Sequence, residues 1–285
     1  MTSESTLSTF IASDGDNVVI QDWPLEHGVA LRGVVIVVHG LGEHAGRYER
    51  VACLLNHWGF AVRGYDQCGH GESGGVRGSL PTDTRLLDDL ADIVDSTRVR
   101  MRPGTPLLLL GHSMGGLVVA RFVSLQMRPV DGLILSSPAL DPGLSAFQKF
   151  LLAVLPHIAP NMRMGNGVNP QLISHDPAVV AAYKADRWVH DRISARLARF
   201  IATAGPQTLA LAAQWTVPTL LMYAGDDRLL NPQGSRTFAA AAPQNVVTAV
   251  CFDTLYHEIF NELDSCPVFA TLKVWLDQTF QKVRS

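Results

Sequence analysis

The sequence predicts an α/β fold: a mostly parallel central sheet of about eight strands, helices on both faces, and a helical insertion over one end. Three observations lead there. Short aliphatic runs alternate with segments of helical period, the rhythm of strand, helix, strand. The runs show little polar alternation, as strands covered on both faces do. The rhythm breaks after Pro138: from Asp141 to about Pro206 the sequence is helical, with proline-rich interruptions and no strand-like run.

Each element follows in order. The stretches TFIAS and NVVIQDW read as an antiparallel start to the sheet. VVIVVHG (34–40) is the first buried strand, and RYERVACLLNHWG the helix after it. FAVRGYD (60–66) is the next strand. TDTRLLDDLADIVDSTRVRM then forms a helix whose apolar face is Leu86, Leu87, Leu90, Ile93 and Val94. LLLLGHS (107–113) leads into the helix MGGLVVARFVSLQM, and LILSSP (133–138) closes the first half. After the insertion come TLLMYAG (219–225) and VVTAVCFD (246–253). The expected organisation is therefore a core in two parts, 1–139 and 208–285, interrupted by a helical cap over 140–207.

Composition narrows the function. The chain has 285 residues, 47% apolar and 17% charged, with a formal net charge of −3. A chain of this length buries roughly three quarters of its unfolded surface and needs no metal or disulfide staple. No basic excess or block of like charge points to a nucleic-acid partner. Cys53, Cys68, Cys251 and Cys266 are far apart and form no C-x-x-C pair. Three of them read as reduced, small apolar fillers, and Cys68, in a glycine-rich loop, as the more accessible one. MTSESTLSTF lacks the features of a signal peptide, and FLLAVLPHIAP is too short and proline-broken to span a bilayer, so a cytoplasmic protein is expected.

The chemistry concentrates around GHSMG, residues 111–115. A G-x-S-x-G between a buried strand and a helix is the setting of a nucleophile elbow. Small residues on either side let the chain turn sharply, and Ser113 is held strained and exposed at the carboxyl ends of the strands. A serine hydroxyl needs a base, and that base an orienting acid, in the chain order Ser, Asp or Glu, His. TLLMYAG ends in Asp226 and Asp227, and the last strand is followed by His257. His257 is the expected general base and Asp227 its carboxylate, with Asp226 as the rival. The Met114 backbone N–H at a helix start and the Leu41 N–H after the VVIVVHG strand are the expected oxyanion donors. His39, His44, His70 and His112 show no zincin spacing and read as loop histidines bonded to backbone, so neither metal nor cofactor is expected.

HGLGEHAGRY, GYDQCGHGES, GHSMGG, AGDDRLLNP and YHEIFNE, in this order, resemble the monoacylglycerol lipases of the α/β-hydrolase superfamily. LISHDPAVVAAYKADRWVHDRISARLARF is similar to the cap of the bacterial members, so the likeness runs from about residue 8 to 282. The resemblance implies the same triad and the same oxyanion donors. It also implies that Glu43, Arg47, His112 and Tyr183 hold the glycerol end of the substrate. An acyl tunnel under the cap would be lined by Phe147, Phe150, Leu151, Leu152 and Leu155. The chain departs from its relatives at Cys68, where many carry arginine, and at Leu41, where a smaller residue is usual.

The expected activity is hydrolysis of carboxylic esters, foremost monoacylglycerols, through an acyl-enzyme on Ser113. The expected partner is a small-molecule lipid ester, with no nucleic acid, and the apolar cap rim offers a surface for transient membrane contact. Other readings are a lysophospholipase or general carboxylesterase, a proline-type aminopeptidase, and a non-catalytic ligand-binding protein on the same scaffold. The sequence carries no sign of oligomeric state.

Overall fold

A computed structural model of the chain describes residues 5–143 and 154–280. The expected runs pair into one eight-stranded sheet. Its members are β1 (Thr6–Ile11), β2 (Asn17–Trp23), β3 (Gly33–Val38), β4 (Phe60–Tyr65), β5 (Leu107–His112), β6 (Gly132–Ser136), β9 (Thr219–Ala224) and β10 (Val247–Phe252). Their order across the sheet is β1-β2-β4-β3-β5-β6-β9-β10. β2 runs antiparallel to both neighbours, and every pairing from β4 onward is parallel. The chain steps from β3 to β4 in one direction and then returns to lay β5 on the other side of β3. The strand order therefore reverses between β3 and β5, and open α/β sheets bind ligands at the carboxyl ends of such strands.

The period of two along the central strands divides the core into two layers. Ile36, Val38, Leu107 and Leu109 face one way, packed with α2 (Arg85–Arg100), α3 (Met114–Ser124) and Phe238 of α6 (Gln233–Ala241). Val35, Val37, Leu108 and Leu110 face the other, against α1 (Glu49–His57) and α7 (Cys266–Thr279). The α2 face expected from the sequence, Leu86, Leu87, Leu90, Ile93 and Val94, is buried throughout. The two edge strands are the exceptions: β10, paired only to β9, leaves Thr248 and Ala249 exposed, and β1, paired only to β2, is exposed over Thr6 to Thr9.

The segment between β6 and β9 is not purely helical, and this corrects the sequence reading. Arg163–Gly165 (β7) and Arg192–Ser194 (β8) pair antiparallel across the segment. Three residues each, with a single apolar side chain apiece, Met164 and Ile193, they carry no aliphatic run. Between them lies α4 (Pro177–Ala185), started by Asp176, whose side chain accepts from the Ala178 N–H at 2.8 Å. α5 (Ala195–Leu209) follows β8 directly and runs beyond residue 207. Backbone bonds join the segment to the core: His190 N–H donates to Gly42 at 2.9 Å and Ser194 N–H to Gly78 at 2.7 Å. Phe147, Phe150, Leu151 and Leu152 lie outside the described residues.

All four cysteines are free thiols, but their exposures invert the expectation. Cys68 is 1% exposed, because the loop folds over it through Gly69 N–H to Gly74 and Gly78 N–H to Gly69. Burial pushes its thiol up to about 12. Cys266, in the first turn of α7, is exposed, and Cys53 and Cys251 are half-buried. Among the described residues no helix is long and apolar enough to cross a membrane.

Candidate active site

Ser113 joins β5 to α3 with φ 53° and ψ −119°, in a region that costs a non-glycine residue about 1–3 kcal/mol. Three backbone bonds hold it there. Its N–H donates to Ser136 at 3.0 Å, and its carbonyl accepts from Leu117 and Ala139, each at 3.0 Å. The flanking glycines are needed for close approach, since neither carries the positive φ. A Cβ on Gly111 would strike the Gly115 carbonyl and the Val119 side chain; one on Gly115 would strike the Val38 and His39 carbonyls. The turn is wedged between the end of β3 and its own helix.

His257 follows β10 and is 5% exposed. Its Nδ1 lies 2.7 Å from Asp227 Oδ2, while Asp227 Oδ1 accepts the Leu229 and Leu230 N–H groups, each at 2.9 Å. Burial pulls the imidazole down, but the Asp227 carboxylate outweighs it and raises the His257 pKa. Burial likewise pushes Asp227 up, and His257 with the two N–H groups holds it below its ordinary value. Asp226 points away to Arg228, Oδ2 to Nη2 at 3.1 Å, with both side chains largely in solvent.

The loop after β3 is tied to the histidine loop by a buried cluster. Gly40 packs against Ser113: a Cβ there would stand 3.2 Å from the serine Cβ. The Gly40 N–H donates to Glu43 Oε1 at 2.5 Å, and Tyr48 donates its hydroxyl to the same oxygen at 2.7 Å. Arg47 pairs with Glu43 and, in a fork of two 2.8 Å bonds, with Glu258 beside His257. Burial pushes Glu43 up, yet Arg47 and the neighbouring histidines hold it at about 2. The Tyr183 ring covers the Arg47 guanidinium at 4.8 Å from its centroid. Glu258 is the member sequence reasoning missed. The YHE triplet offered only its adjacency to His257, and its partner Arg47 is 211 residues away.

His112 lies under this cluster, its Nδ1 3.1 Å from Ser136 Oγ and its ring 4.7 Å from that of His257. Burial, then the nearby His257, lowers its pKa to about 4. The other loop histidines divide. His39 and His70 bond backbone carbonyls, as expected, whereas His44 pairs through Nε2 with Asp186 at 2.7 Å. Among the described residues no group of three or more His, Cys, Asp or Glu is placed to hold a metal ion.

Ser113, Leu41, Met114 and His257 all line one cavity of about 360 Å³. Glu43, Arg47, His112, Tyr183 and Glu258 line it too. Its apolar walls are Leu155, Ile173, Ile193, Ile201, Leu229 and Leu230. Of the expected catalytic, oxyanion and polar-end residues all but Asp227 line this cavity, and Asp227 stands directly behind His257.

A strained serine turn at the switch point of a mostly parallel sheet, with a cavity opening above it, makes this an α/β hydrolase. Comparison with known proteins specifies the group: residues 30–264 match the Hydrolase_4 model, described as serine aminopeptidase, S33, and the chain belongs to that family. It is 35% identical to a monoacylglycerol lipase of Mycolicibacterium smegmatis over 86% of this chain and 88% of that one. An uncharacterised abhydrolase domain-containing protein of Dictyostelium discoideum is 31% identical over 99% of this chain, which spans only 30% of that longer protein. Among solved structures, a monoacylglycerol lipase of Paleococcus ferrophilus superposes with a TM-score of 0.80 at 32% identity, covering 97% of this chain and 99% of that one.

Proposed function

We propose that the chain hydrolyses monoacylglycerols to fatty acid and glycerol through an acyl-enzyme on Ser113. The observation that carries this reading is the two-sided cavity: an apolar wall for an acyl chain and a buried polar cluster for a small polyol meet at one serine. Ser113 Oγ attacks the ester carbonyl carbon while His257 Nε2 takes its proton, with Asp227 holding Nδ1–H and stabilising the imidazolium. The Leu41 and Met114 N–H groups receive the oxyanion; Met114 opens α3, where the first N–H groups have no intrahelical acceptor. Collapse breaks the acyl C–O bond, and the glycerol oxygen leaves with the proton from Nε2. Water, deprotonated by His257, then releases the fatty acid. No step calls for a metal or cofactor.

Glu43, Arg47, His112 and Tyr183 form the glycerol end in this reading. Residues 140–207 serve as the cap, and Leu155 represents the acyl wall among the described residues. Exposed Val154, Ile158 and Met162 on the cap give it an apolar rim for contact with a membrane or micelle, at 40%, 75% and 46% exposure. An aminopeptidase would need a free carboxylate to bind an α-ammonium group. The cavity's two carboxylates, Glu43 and Glu258, already share Arg47 and accept further hydrogen bonds from Gly40, Tyr48 and Asn261. The carboxylate chemistry therefore favours a neutral, hydroxyl-bearing leaving group.

The test is hydrolysis of a 1-monoacylglycerol series beside short esters and aminoacyl-anilides, with Ser113→Ala as control. A kcat/KM maximum on monoacylglycerols is expected. Turnover confined to short esters or anilides would leave the serine chemistry standing and remove the glycerol assignment.

A further inference from the structure

The Leu41 N–H belongs to the peptide unit that joins Gly40 to Leu41, and a planar trans unit points its N–H opposite to its carbonyl. The direction of that donor is therefore set by whatever holds Gly40, a residue type with unusual backbone freedom to lose. Both sides of Gly40 are held. Its carbonyl lies 2.8 Å from His39 Nδ1. His39 Nε2 accepts the Gln67 N–H at 2.9 Å, so the ring proton sits on Nδ1 and is donated to that carbonyl. The Gly40 N–H donates to Glu43 Oε1.

Glu43 is the near end of a chain of contacts that finishes beside the catalytic base. Arg47 pairs with Glu43 on one side and forks onto Glu258 on the other, Oε1 and Oε2 each 2.8 Å from a guanidinium nitrogen. Glu258 Oε2 also accepts from Asn261 Nδ2 at 2.9 Å, and the Glu258 N–H donates to the Ile173 carbonyl at 2.8 Å. Both carboxylate oxygens are thus bonded within the protein before any substrate arrives. Glu258 follows His257 directly in the chain, so whatever it grips is gripped from the loop of the base itself. The sheet supplies no such link: β5, β6 and β9 stand between β3, which leads to Leu41, and β10, which leads to His257. A reacting constellation must be held to within about 0.5 Å, and the fork spans the two loops directly.

The charge of the cluster also reaches the base. His257 is faced by Asp227 from the loop after β9, by His112 at the end of β5, by Glu43 with its partner Arg47 from the loop after β3, and by Glu258 from its own loop. Burial pulls the imidazole down; Asp227 first, then Glu258 and Glu43, push it up.

We propose that Glu258 is a positioning residue: through Arg47 and Glu43 it holds the Leu41 oxyanion donor in register with His257, and it does so for any ester, whatever the leaving group. The proposal rests on the serine ester-hydrolase reading above. Glu258 itself neither exchanges a proton nor bonds the substrate. Its side chain acts on the one peptide unit that must face the oxyanion, and its charge acts on the base that must stay paired with Asp227.

The experiment compares Glu258→Gln and Glu258→Asp with the wild type on a 1-monoacylglycerol and on a p-nitrophenyl ester of the same acyl chain. The kcat is taken per folded chain, with the folded fraction read from urea unfolding. Glutamine keeps the length and removes the charge; aspartate keeps the charge and withdraws it from Arg47 by one methylene. Each variant is expected to lose about tenfold or more in kcat on both esters, with KM held within about threefold. That loss stays short of the roughly 10²–10³ that deleting a donor outright costs. The midpoint of the kcat/KM pH profile should move to lower pH in Glu258→Gln and stay in place in Glu258→Asp, a split that a merely structural role would not produce. A loss confined to the monoacylglycerol would make Glu258 a glycerol contact and overturn the proposal. Unchanged kcat in either variant, or a pH midpoint that Glu258→Gln leaves unmoved, would overturn it as well. If the wild type cleaved the p-nitrophenyl ester and not the monoacylglycerol, the substrate reading alone would fall, and Glu258 would be judged by the same criteria on the p-nitrophenyl ester.

Discussion

Replacing Asp227 by asparagine changes one atom, and the structure determines which way the amide must lie. Oδ1 accepts two backbone N–H groups, from Leu229 and Leu230, each at 2.9 Å, so the amide oxygen has to remain there. An NH2 turned toward those donors would bury three mutually repelling N–H groups. The NH2 therefore occupies the Oδ2 position, 2.7 Å from His257 Nδ1, and forces that nitrogen to accept. The ring proton moves to Nε2, the atom that must receive the serine proton, and the base is blocked without disturbing the fold. The loss expected from such a tautomer change is about 10⁴ in kcat, or about 5.5 kcal/mol at 1.36 kcal/mol per decade. Asp226→Asn breaks only a solvent-exposed pair with Arg228 and should leave kcat within about twofold. The assay is steady-state ester hydrolysis with urea denaturation alongside. A Asp227→Asn enzyme within tenfold of wild type, or an Asp226→Asn enzyme as crippled, would refute the assignment of the carboxylate.

Two further outcomes follow from the buried charges. Catalysis needs neutral His257, whose pKa is raised above its ordinary 6.5. Activity should therefore fall as pH drops, with a midpoint above 6.5 in a kcat/KM profile; a midpoint well below that would contradict the Asp227 pairing. His112, held near 4, should add no second limb at neutral pH. Arg47→Met strips the shared cation from Glu43 and Glu258 and should cost about 3–5 kcal/mol in urea unfolding at neutral pH. Glu43 is depressed to about 2, so its share of that stability is present above the ordinary carboxylate range and is lost as pH falls toward 2. A wild-type-like urea midpoint for Arg47→Met would show that the cluster contributes no stability.

What the sequence displayed was decided by local pattern. The central strands are buried on both faces, so aliphatic runs such as LLLLGH and GVVIVV announce them, and the strand-to-helix switch at GHSMG identifies the turn. Order along the chain singles out His257 and Asp227 as a pair, and in the fold their side chains lie 2.7 Å apart while Asp226 turns to Arg228. What remained hidden depends on distant partners. β7 and β8 are three-residue strands with one apolar side chain each, too short to show as a run. Glu258 acquires its place only when Arg47 folds against it, and Cys68 is buried by hydrogen bonds within a loop whose glycines suggested openness. A surface groove gathers Arg77, which follows β4, with Arg163, Lys184 and Arg192 from the segment between β6 and β9, a grouping with no signature in any single stretch.

The most direct measurement is mass spectrometry of the protein treated with a fluorophosphonate ester, run beside Ser113→Ala. One adduct per chain, on the peptide carrying Ser113 and absent from the variant, together with loss of monoacylglycerol hydrolysis in step with labelling, is the expected result. Labelling elsewhere, or monoacylglycerol hydrolysis that survives full modification of Ser113, would contradict a nucleophilic role for the strained serine.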